Sequence, residues 1–508
     1  MQTSSRGIPS VGRSRNVRIL AESWDCPSPP RSPSPVQHQF DHQFTAAQGT
    51  PGATLSQILG AFSYALDLTE GQTEGHSLRC CWIAMRLAAQ LGLTATEQRD
   101  IYYAVMLKDL GCSSNSARVA ELYLTDDRRF KRDFKLIGTG LSDVLGFVLR
   151  STGHGETLIK RSRAVANILR NGPEIARDLI ETRCTRGADI ARRLRFSEGV
   201  AAAIHSLDEH WDGSGKPQGL SGEAIPLGAR LALLAQVVDV YFVSSGAQAA
   251  IDEIAKRSGT WLDPRLARSF AGLAREASLW EELSASDLPA RVAAIEPDAA
   301  IMPVDEDYLD DIAAAFGAVI DAKSPYTAGH SDRVGHFADA LSGYMGMAAP
   351  ERRVLRRAAI LHDVGKLGVS SRILEKPGKL DDDEWRVMKS HAMHTTEILG
   401  RIPALRDMAL IAGSHHERLD GTGYPLQLEA TVISLETRII TTCDFFDALT
   451  ADRPYRGAMP TEQAFAIMAG EAGKAIDPEC LAALRETVAS GLMTPGAAPL
   501  PRLSLPGG

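Results

Sequence analysis

The feature that most constrains this chain is an internal repeat, because a fold built by duplication must satisfy one pattern twice. Glu74-Gly-His-Ser-Leu-Arg79 is matched by Ala328-Gly-His-Ser-Asp-Arg333, and Leu107-Lys-Asp-Leu-Gly111 by Leu361-His-Asp-Val-Gly365. Asp212-Gly-Ser-Gly-Lys-Pro217 is matched in turn by Asp420-Gly-Thr-Gly-Tyr-Pro425. Order and spacing are kept together: His76 to Asp109 and His330 to Asp363 are both 33 positions, and Asp212 to Arg230 and Asp420 to Arg438 are both 18. Asp263-Pro264 and Asp477-Pro478 match near the two ends. The chain reads as a tandem duplication, with about 46 extra residues in the first copy between Asp109 and Arg183. That insert carries the run Arg128-Arg-Phe-Lys-Arg-Asp-Phe-Lys135, which a solvated helix face explains at least as well as a binding patch.

From Ala53 onward apolar residues recur at helical spacing, as from Trp82 to Leu93, and strand alternation is nearly absent. The expected fold class is therefore all-α. A chain of 508 residues is too long for one ordinary core, so two helical domains are expected. Residues 1–50, with the run Cys26-Pro-Ser-Pro-Pro-Arg-Ser-Pro-Ser-Pro, have little to bury and read as a disordered tail. The first domain is placed at 53–283, a Ser/Pro-containing linker at 284–303, the second domain at 304–490 and a loose Pro/Gly-rich tail at 491–508.

With 44% hydrophobic and 23% charged residues the composition is that of a soluble globular protein. A net charge of -8 argues against a DNA or RNA binder, which needs a basic face. Seven cysteines, odd in number and without CxxC spacing, suggest reduced thiols rather than a disulfide framework. No apolar run of about 18 residues is expected to span a bilayer, and no apolar region follows the basic residues near the N-terminus. These readings point to the cytoplasm and away from a membrane.

The chemistry concentrates in the second copy, where 7 of the 13 histidines fall between His330 and His416. His362 and Asp363 are adjacent near the end of an apolar helix and are followed by Gly365 and Lys366. An imidazole beside a carboxylate offers N and O ligands suited to Fe, Mn or Zn. One such pair alone would more often be structural. Here it is joined by His415-His416, followed by Glu417 and a Gly-rich turn, and by Asp444 in the otherwise apolar stretch Ile439 to Leu449. A carboxylate in such a setting is costly unless it is paired or metal-bound.

At these residues a resemblance becomes specific. Tyr326-Thr-Ala-Gly-His-Ser-Asp-Arg-Val334, Leu361-His-Asp-Val-Gly-Lys-Leu-Gly368, Ile373-Leu-Glu-Lys-Pro-Gly-Lys-Leu380 and Met388-Lys-Ser-His391 form its first part. His415-His-Glu-Arg-Leu-Asp-Gly-Thr-Gly-Tyr-Pro425, Cys443-Asp-Phe-Phe-Asp-Ala-Leu-Thr450 and Asp452-Arg-Pro-Tyr-Arg456 complete it. The segment resembles an HD-GYP domain, a subfamily of the HD phosphohydrolases whose known members degrade cyclic di-GMP. The resemblance implies tandem HD-type helical domains, the second being the HD-GYP domain. It also implies two divalent metal ions, Fe or Mn. His330, His362, Asp363 and Asp444 would hold one, and Asp363 would bridge to a second held by His391, His415 and His416. His362, Asp363 and Lys366 would be catalytic, with Lys366 meeting a phosphate oxygen. Arg453 and Arg456 would hold the second phosphate. Gly423, Tyr424 and Pro425 would line the guanine side, where Tyr424 reads equally well as a stacking residue or as loop packing.

The implied reaction is hydrolysis of cyclic di-GMP to pGpG, with GMP as a further product. Two rivals are an HD phosphohydrolase acting on another cyclic dinucleotide, and a cyclic-dinucleotide-binding effector without turnover. Three departures from the family pattern stand out. Tyr326 replaces the Glu that brings a third metal in some members, Thr395 a usual Gly, and Ala392 a usual Pro. The last two are expected to bear on the helix that carries His391.

In the first copy only His76 and Asp109 of the ligand set remain. Lys108, Arg183, Leu207-Asp208 and Gln236 stand at the other positions, and Cys112 stands where the second copy has Lys366. Two of the replacements are cationic and would repel a metal. Two readings stand for this half. It is a packing and dimerisation scaffold in a homodimer, or it binds an anionic ligand through Lys108 and Arg183. The scaffold is preferred because the ligand has no independent support.

Overall fold

The computed structural model describes residues 54–493, apart from 139, 154, 298–303 and 453–456. As expected, the fold is all-helical. Among the described residues β pairing is limited to single bridges, Ser258 with Leu262 and Ala472 with Ile476. In the first half the principal helices are α1 (Leu55–Thr69), α2 (His76–Gln90), α3 (Ala95–Met106), α4 (Leu158–Arg193), α5 (Glu198–His205) and α6 (Leu227–Ser245). In the second they are α7 (Glu306–Asp321), α8 (His330–Tyr344), α9 (Ala349–Leu361), α10 (Asp382–Gly400), α11 (Arg406–Gly413) and α12 (Leu435–Thr450).

Local signals set the helix starts. Thr54 and Gln57 form a capping box before α1, Asp381 and Glu384 one before α10, and Asp305 accepts the Tyr308 N–H at the start of α7. Each such cap contributes about 1 kcal/mol. α2 and α8 instead begin after glycines at positive φ, Gly75 at 80° and Gly329 at 70°. Those turns let the chain reverse sharply, so that the first residue of each helix is a histidine, His76 or His330.

The repeat in the text recurs as contacts. Asp67 accepts the N–H and O–H of Ser77, and Asp321 those of Ser331. Arg230 pairs with Asp263 and Arg438 with Asp477, both at 2.8 Å. Glu209 accepts the amides of Gln218, Gly219 and Leu220, as Glu417 does those of Leu426, Gln427 and Leu428. A Cβ on Gly111 would lie 1.9 Å from the Arg183 carbonyl oxygen, and one on Gly365 the same distance from that of His391. Arg183 therefore stands where His391 stands.

One continuous apolar core runs through both halves. Phe62 stacks on Phe316 with ring centroids 3.5 Å apart, and these two occupy equivalent positions in the repeat. Burying such a ring contributes about 1.5–3 kcal/mol. The expected linker is part of this packing. Helix Leu288–Ala294 buries Leu288 and Val292, and the Tyr102 hydroxyl donates to the Val292 carbonyl. Both expected tails lie almost wholly outside the described residues.

Two expectations are corrected. α6 is long and apolar enough to cross a membrane, where no such run was expected. In the fold it is a core helix whose Asp239 binds His76 and Arg79 from inside the protein. The basic run of the insert forms helix Asp127–Phe134, which is solvated on one face only. Arg129 and Arg132 point to solvent, whereas Phe130 is buried and Arg128, Lys131 and Lys135 turn inward onto the protein.

Candidate metal centre

Five helices and one tight turn of the second half bring the expected ligands together. His330 opens α8, His362 caps α9, and Asp363 follows it at the head of the tight turn Val364–Gly368. His391 lies in α10, His415 and His416 follow α11, and Asp444 lies in α12. All are buried except His416, which is half-buried. Asp363 is the hub. Its Oδ2 lies 3.6 Å from His330 Nε2 and 3.3 Å from His362 Nε2, while its Oδ1 lies 3.5 Å from His391 Nε2 and 3.8 Å from His415 Nε2. Asp444 Oδ1 joins the first set, 3.4 Å from His330 Nε2 and 3.8 Å from His362 Nε2. His416 joins the second, its ring 4.0 Å from that of His415 and 5.0 Å from that of His391.

The far nitrogens of four of the five histidines are engaged as follows. His362, His391 and His415 meet the carbonyls of Ala359, Met388 and Ala412 through Nδ1 at 2.6–2.7 Å, and His330 Nδ1 meets Asp447 at 2.7 Å. A carbonyl can only accept, so those three Nδ1 atoms carry the proton and each Nε2 presents a lone pair. Two such lone pairs, on His391 and His415, face each other at 3.5 Å. His330 Nε2, His362 Nε2 and Asp363 Oδ1 are buried without a hydrogen-bond partner. Each such group costs about 1–3 kcal/mol when left unsatisfied. Lone pairs converging on a carboxylate from two sides are the donor set that divalent Fe, Mn or Zn requires.

The electrostatics agree. Burial alone would raise Asp363, but Lys366 and the surrounding imidazoles hold it well below the carboxylate range. Burial pushes His391 down to about 4, and burial with neighbouring imidazoles pushes His415 and His416 well below the usual value. His330 goes the other way. Burial would lower it, yet Asp363, Asp447 and Asp444 raise it to about 9.

Lys366 Nζ lies 2.5 Å from Asp363 Oδ2. The Gly-Tyr-Pro turn is anchored by Glu417 beneath it, and a Cβ on Gly423 would strike the Glu417 backbone at 2.5 Å. The Tyr424 ring stacks on His416, centroids 4.7 Å apart, with the half-buried Trp385 edge-on to it. Arg453 and Arg456 lie outside the described residues. Thr395 does not push α10 away. Its hydroxyl accepts the Gly365 N–H at 3.0 Å and donates to the His362 carbonyl at 2.8 Å, tying α10 to the His-Asp turn, while Ala392 is fully buried.

The equivalent place in the first half is filled with cations. Lys108 Nζ lies 3.0 Å from His76 Nε2 and pairs with Asp109. Lys135 Nζ reaches Glu70 at 2.9 Å and lies 3.9 Å from Asp109, and Lys131 lies 3.4 Å from Glu70. Arg183 pairs with Asp208, so an ion pair stands where His391 and His416 meet in the second half. Glu70, Asp109 and Cys112 cluster closely enough for a metal, but resident ammonium groups already neutralise the two carboxylates. Burial pushes the Cys112 thiol well up, away from the thiolate form.

Asp447 was missed in the sequence, although a signal was there. Asp239 is its counterpart 208 positions earlier, at the same offset as Gln236 to Asp444. It grips His76 and Arg79 as Asp447 grips His330 and Arg333. A carboxylate kept in both copies holds the frame of the site rather than a ligand position.

The HD domain family profile matches residues 173–266 and 315–480. The 3′3′-cGAMP-specific phosphodiesterase 3 of Vibrio cholerae is 50% identical over 434 residues, 85% of this chain and 94% of that protein. The cyclic di-GMP phosphodiesterase response regulator RpfG of Xanthomonas campestris is 40% identical over 160 residues, 31% of this chain and 42% of that protein. Among solved structures, the V. cholerae cyclic GMP-AMP phosphodiesterase V-cGAP3 superposes with a TM-score of 0.60 at 45% identity, covering 86% of this chain and 98% of that one. With the His-Asp centre, the Gly-Tyr-Pro turn and this similarity along most of its length, the chain belongs to the HD-GYP family of metal-dependent HD-domain phosphodiesterases.

Proposed function

We propose that the second half hydrolyses a 3′,5′-phosphodiester of a cyclic dinucleotide with two divalent ions, Fe or Mn, in the cytoplasm. The observation that carries this reading is Asp363, whose two oxygens face separate imidazole sets at 3.3–3.8 Å. His330, His362, Asp363 and Asp444 would hold one ion, and Asp363, His391, His415 and His416 the other. Tyr326, at the position of a third-metal Glu, offers no carboxylate, which limits the set to two. Ions bound there supply a nucleophile at neutral pH and offset the charge that develops on the phosphate.

The side chains of the chain do the orienting. Lys366 is placed to turn from Asp363 to a non-bridging phosphate oxygen, and Arg453 and Arg456 carry guanidinium forks for the second phosphate. Gly423, Tyr424 and Pro425 would border one base. Water adds to phosphorus, the bond to the 3′ oxygen breaks, and a linear dinucleotide leaves with a 5′ phosphate. The first half is a duplicated HD unit that has lost its metal centre and serves as a packing scaffold. The family match at 173–266 and the lysines at its centre support this.

The relative aligned along nearly its whole length is named for 3′3′-cGAMP, whereas RpfG, named for cyclic di-GMP, aligns over 31% of the chain. We therefore place 3′3′-cyclic GMP-AMP first as substrate and cyclic di-GMP second. The test is one reaction containing both nucleotides and Mn- or Fe-loaded protein, resolved by chromatography. Faster loss of the mixed nucleotide supports the order, and faster loss of cyclic di-GMP reverses it. Tight binding of both with no product over hours, under every metal, would replace hydrolysis with an effector role.

A further inference from the structure

The turn Val364–Gly368 carries Lys366 and follows Asp363 directly, so its alignment sets both. Thr395 steadies it from within the second half. Its other side is held largely by the first. Lys323, almost fully buried, donates to the Leu367 carbonyl at 3.0 Å and lies 3.6 Å from Asp127 Oδ2. Asp127, with no exposed surface, accepts the Ser371 N–H at 2.7 Å and the Ser370 hydroxyl at 3.1 Å. Its neighbour Arg128 donates to the Gly368 carbonyl and, at 2.8 Å, to the Leu68 carbonyl. Polar groups at 367, 368, 370 and 371 are thus satisfied by Lys323 and by the inserted helix Asp127–Phe134. Apolar packing would stabilise such a joint as well as a buried ion pair does. A carboxylate adds directed hydrogen bonds, and with them a single register for the turn.

We propose that Asp127 is a positioning residue for the hydrolytic centre, aligning Asp363 and Lys366 through Ser370, Ser371 and Lys323. The insert then has two roles: its Lys131 and Lys135 fill the first centre, while Asp127 and Arg128 steady the second. The kinetic part of this proposal rests on the hydrolytic reading given above; the structural part does not.

The test compares Asp127→Ala, Asp127→Asn and Lys323→Met with Val292→Ala, a core change remote from the turn. In full-length Mn-loaded Asp127→Ala, kcat on the cyclic dinucleotide and on bis(p-nitrophenyl) phosphate should fall about tenfold or more, with KM within about twofold, since small misplacements of reacting groups are costly. Amide exchange should quicken in peptides covering 363–371 and stay unchanged across 382–400. Asp127→Asn keeps an acceptor for the Ser371 N–H and should lose less than about threefold. Wild-type kcat and exchange in Asp127→Ala would overturn the proposal, as would an equal loss in Val292→Ala at matched melting temperature. Should Asp127→Ala fail to fold, Asp127→Asn and Lys323→Met decide; unchanged exchange at 363–371 in both overturns it. Exchange and Mn binding followed by EPR need no turnover. A wild type inactive on both substrates would therefore sink the hydrolytic reading and leave the alignment of the turn still measured.

Discussion

His76 and His330 open equivalent helices and both meet an aspartate through Nδ1, Asp239 in one half and Asp447 in the other. Their protonation runs in opposite directions. Burial and the Lys108 ammonium push His76 down to about 4, whereas His330 is held at about 9 against its burial by three carboxylates. The frame is the same, and only the charge beyond the ring differs. In the first half Glu70 and Asp109 are neutralised by three lysines, Lys108, Lys131 and Lys135; in the second Asp363 has the single lysine Lys366, and Asp444 lies against the imidazoles of His330 and His362. The two places thus differ in resident charge as well as in the side chains that line them. Buried carboxylates need counter-charges, and for Glu70 and Asp109 these come from Lys108 and from Lys131 and Lys135 of the insert.

The largest effect that could break this contrast lies in the second half. His362→Ala with Asp363→Ala should remove bound metal, measured by elemental analysis, and lower kcat by about three orders of magnitude or more, because several kcal/mol of charge stabilisation depends on the ions. Retained turnover would mean that the two centres differ in something other than metal.

Next is Lys108→Met. Removing one member of a buried ion pair costs about 3–5 kcal/mol, so urea unfolding should shift by that amount while turnover per folded molecule stays within about twofold. The same variant has a pH signature. His76 is lowered from 6.5 to about 4 in the folded state. Its contribution to stability is thus present above pH 6.5 and lost as pH falls through about 4. Without Lys108 its NMR titration should move up and this acid-side loss should shrink. An unmoved titration would show that burial alone sets the value.

The smallest expected effect sharpens the shared frame. Asp447→Asn leaves every ligand in place but weakens the hold on His330 Nδ1. Metal affinity, followed by Mn titration, should fall about 10–100-fold. A wild-type affinity would reduce Asp447 to packing.

Much of this was legible in the chain. The side chains that converge around Asp363 were readable because each lies in a short local motif, and the first copy showed which positions differ. The helical class followed from apolar spacing. What escaped depends on tertiary contacts. Arg128 meets Gly368 across 240 positions, and nothing local in a basic run distinguishes a cation aimed at a buried carboxylate from one aimed at water. α6 escaped for a related reason. Arg230 and Asp239 look like interruptions in the text, whereas in the fold both are paired. Leu288 and Val292, four apart, were the helical signal inside the stretch read as a linker.

The stacked rings of Phe62 and Phe316 carry one more consequence. The half that holds Asp363 and its imidazoles shares its apolar core with the other half. Severed before α7, it would bare an apolar face with no polar substitute, and such faces drive aggregation. A transplant of this hydrolase into another scaffold would have to bring α1 with it, or a helix shaped to replace it.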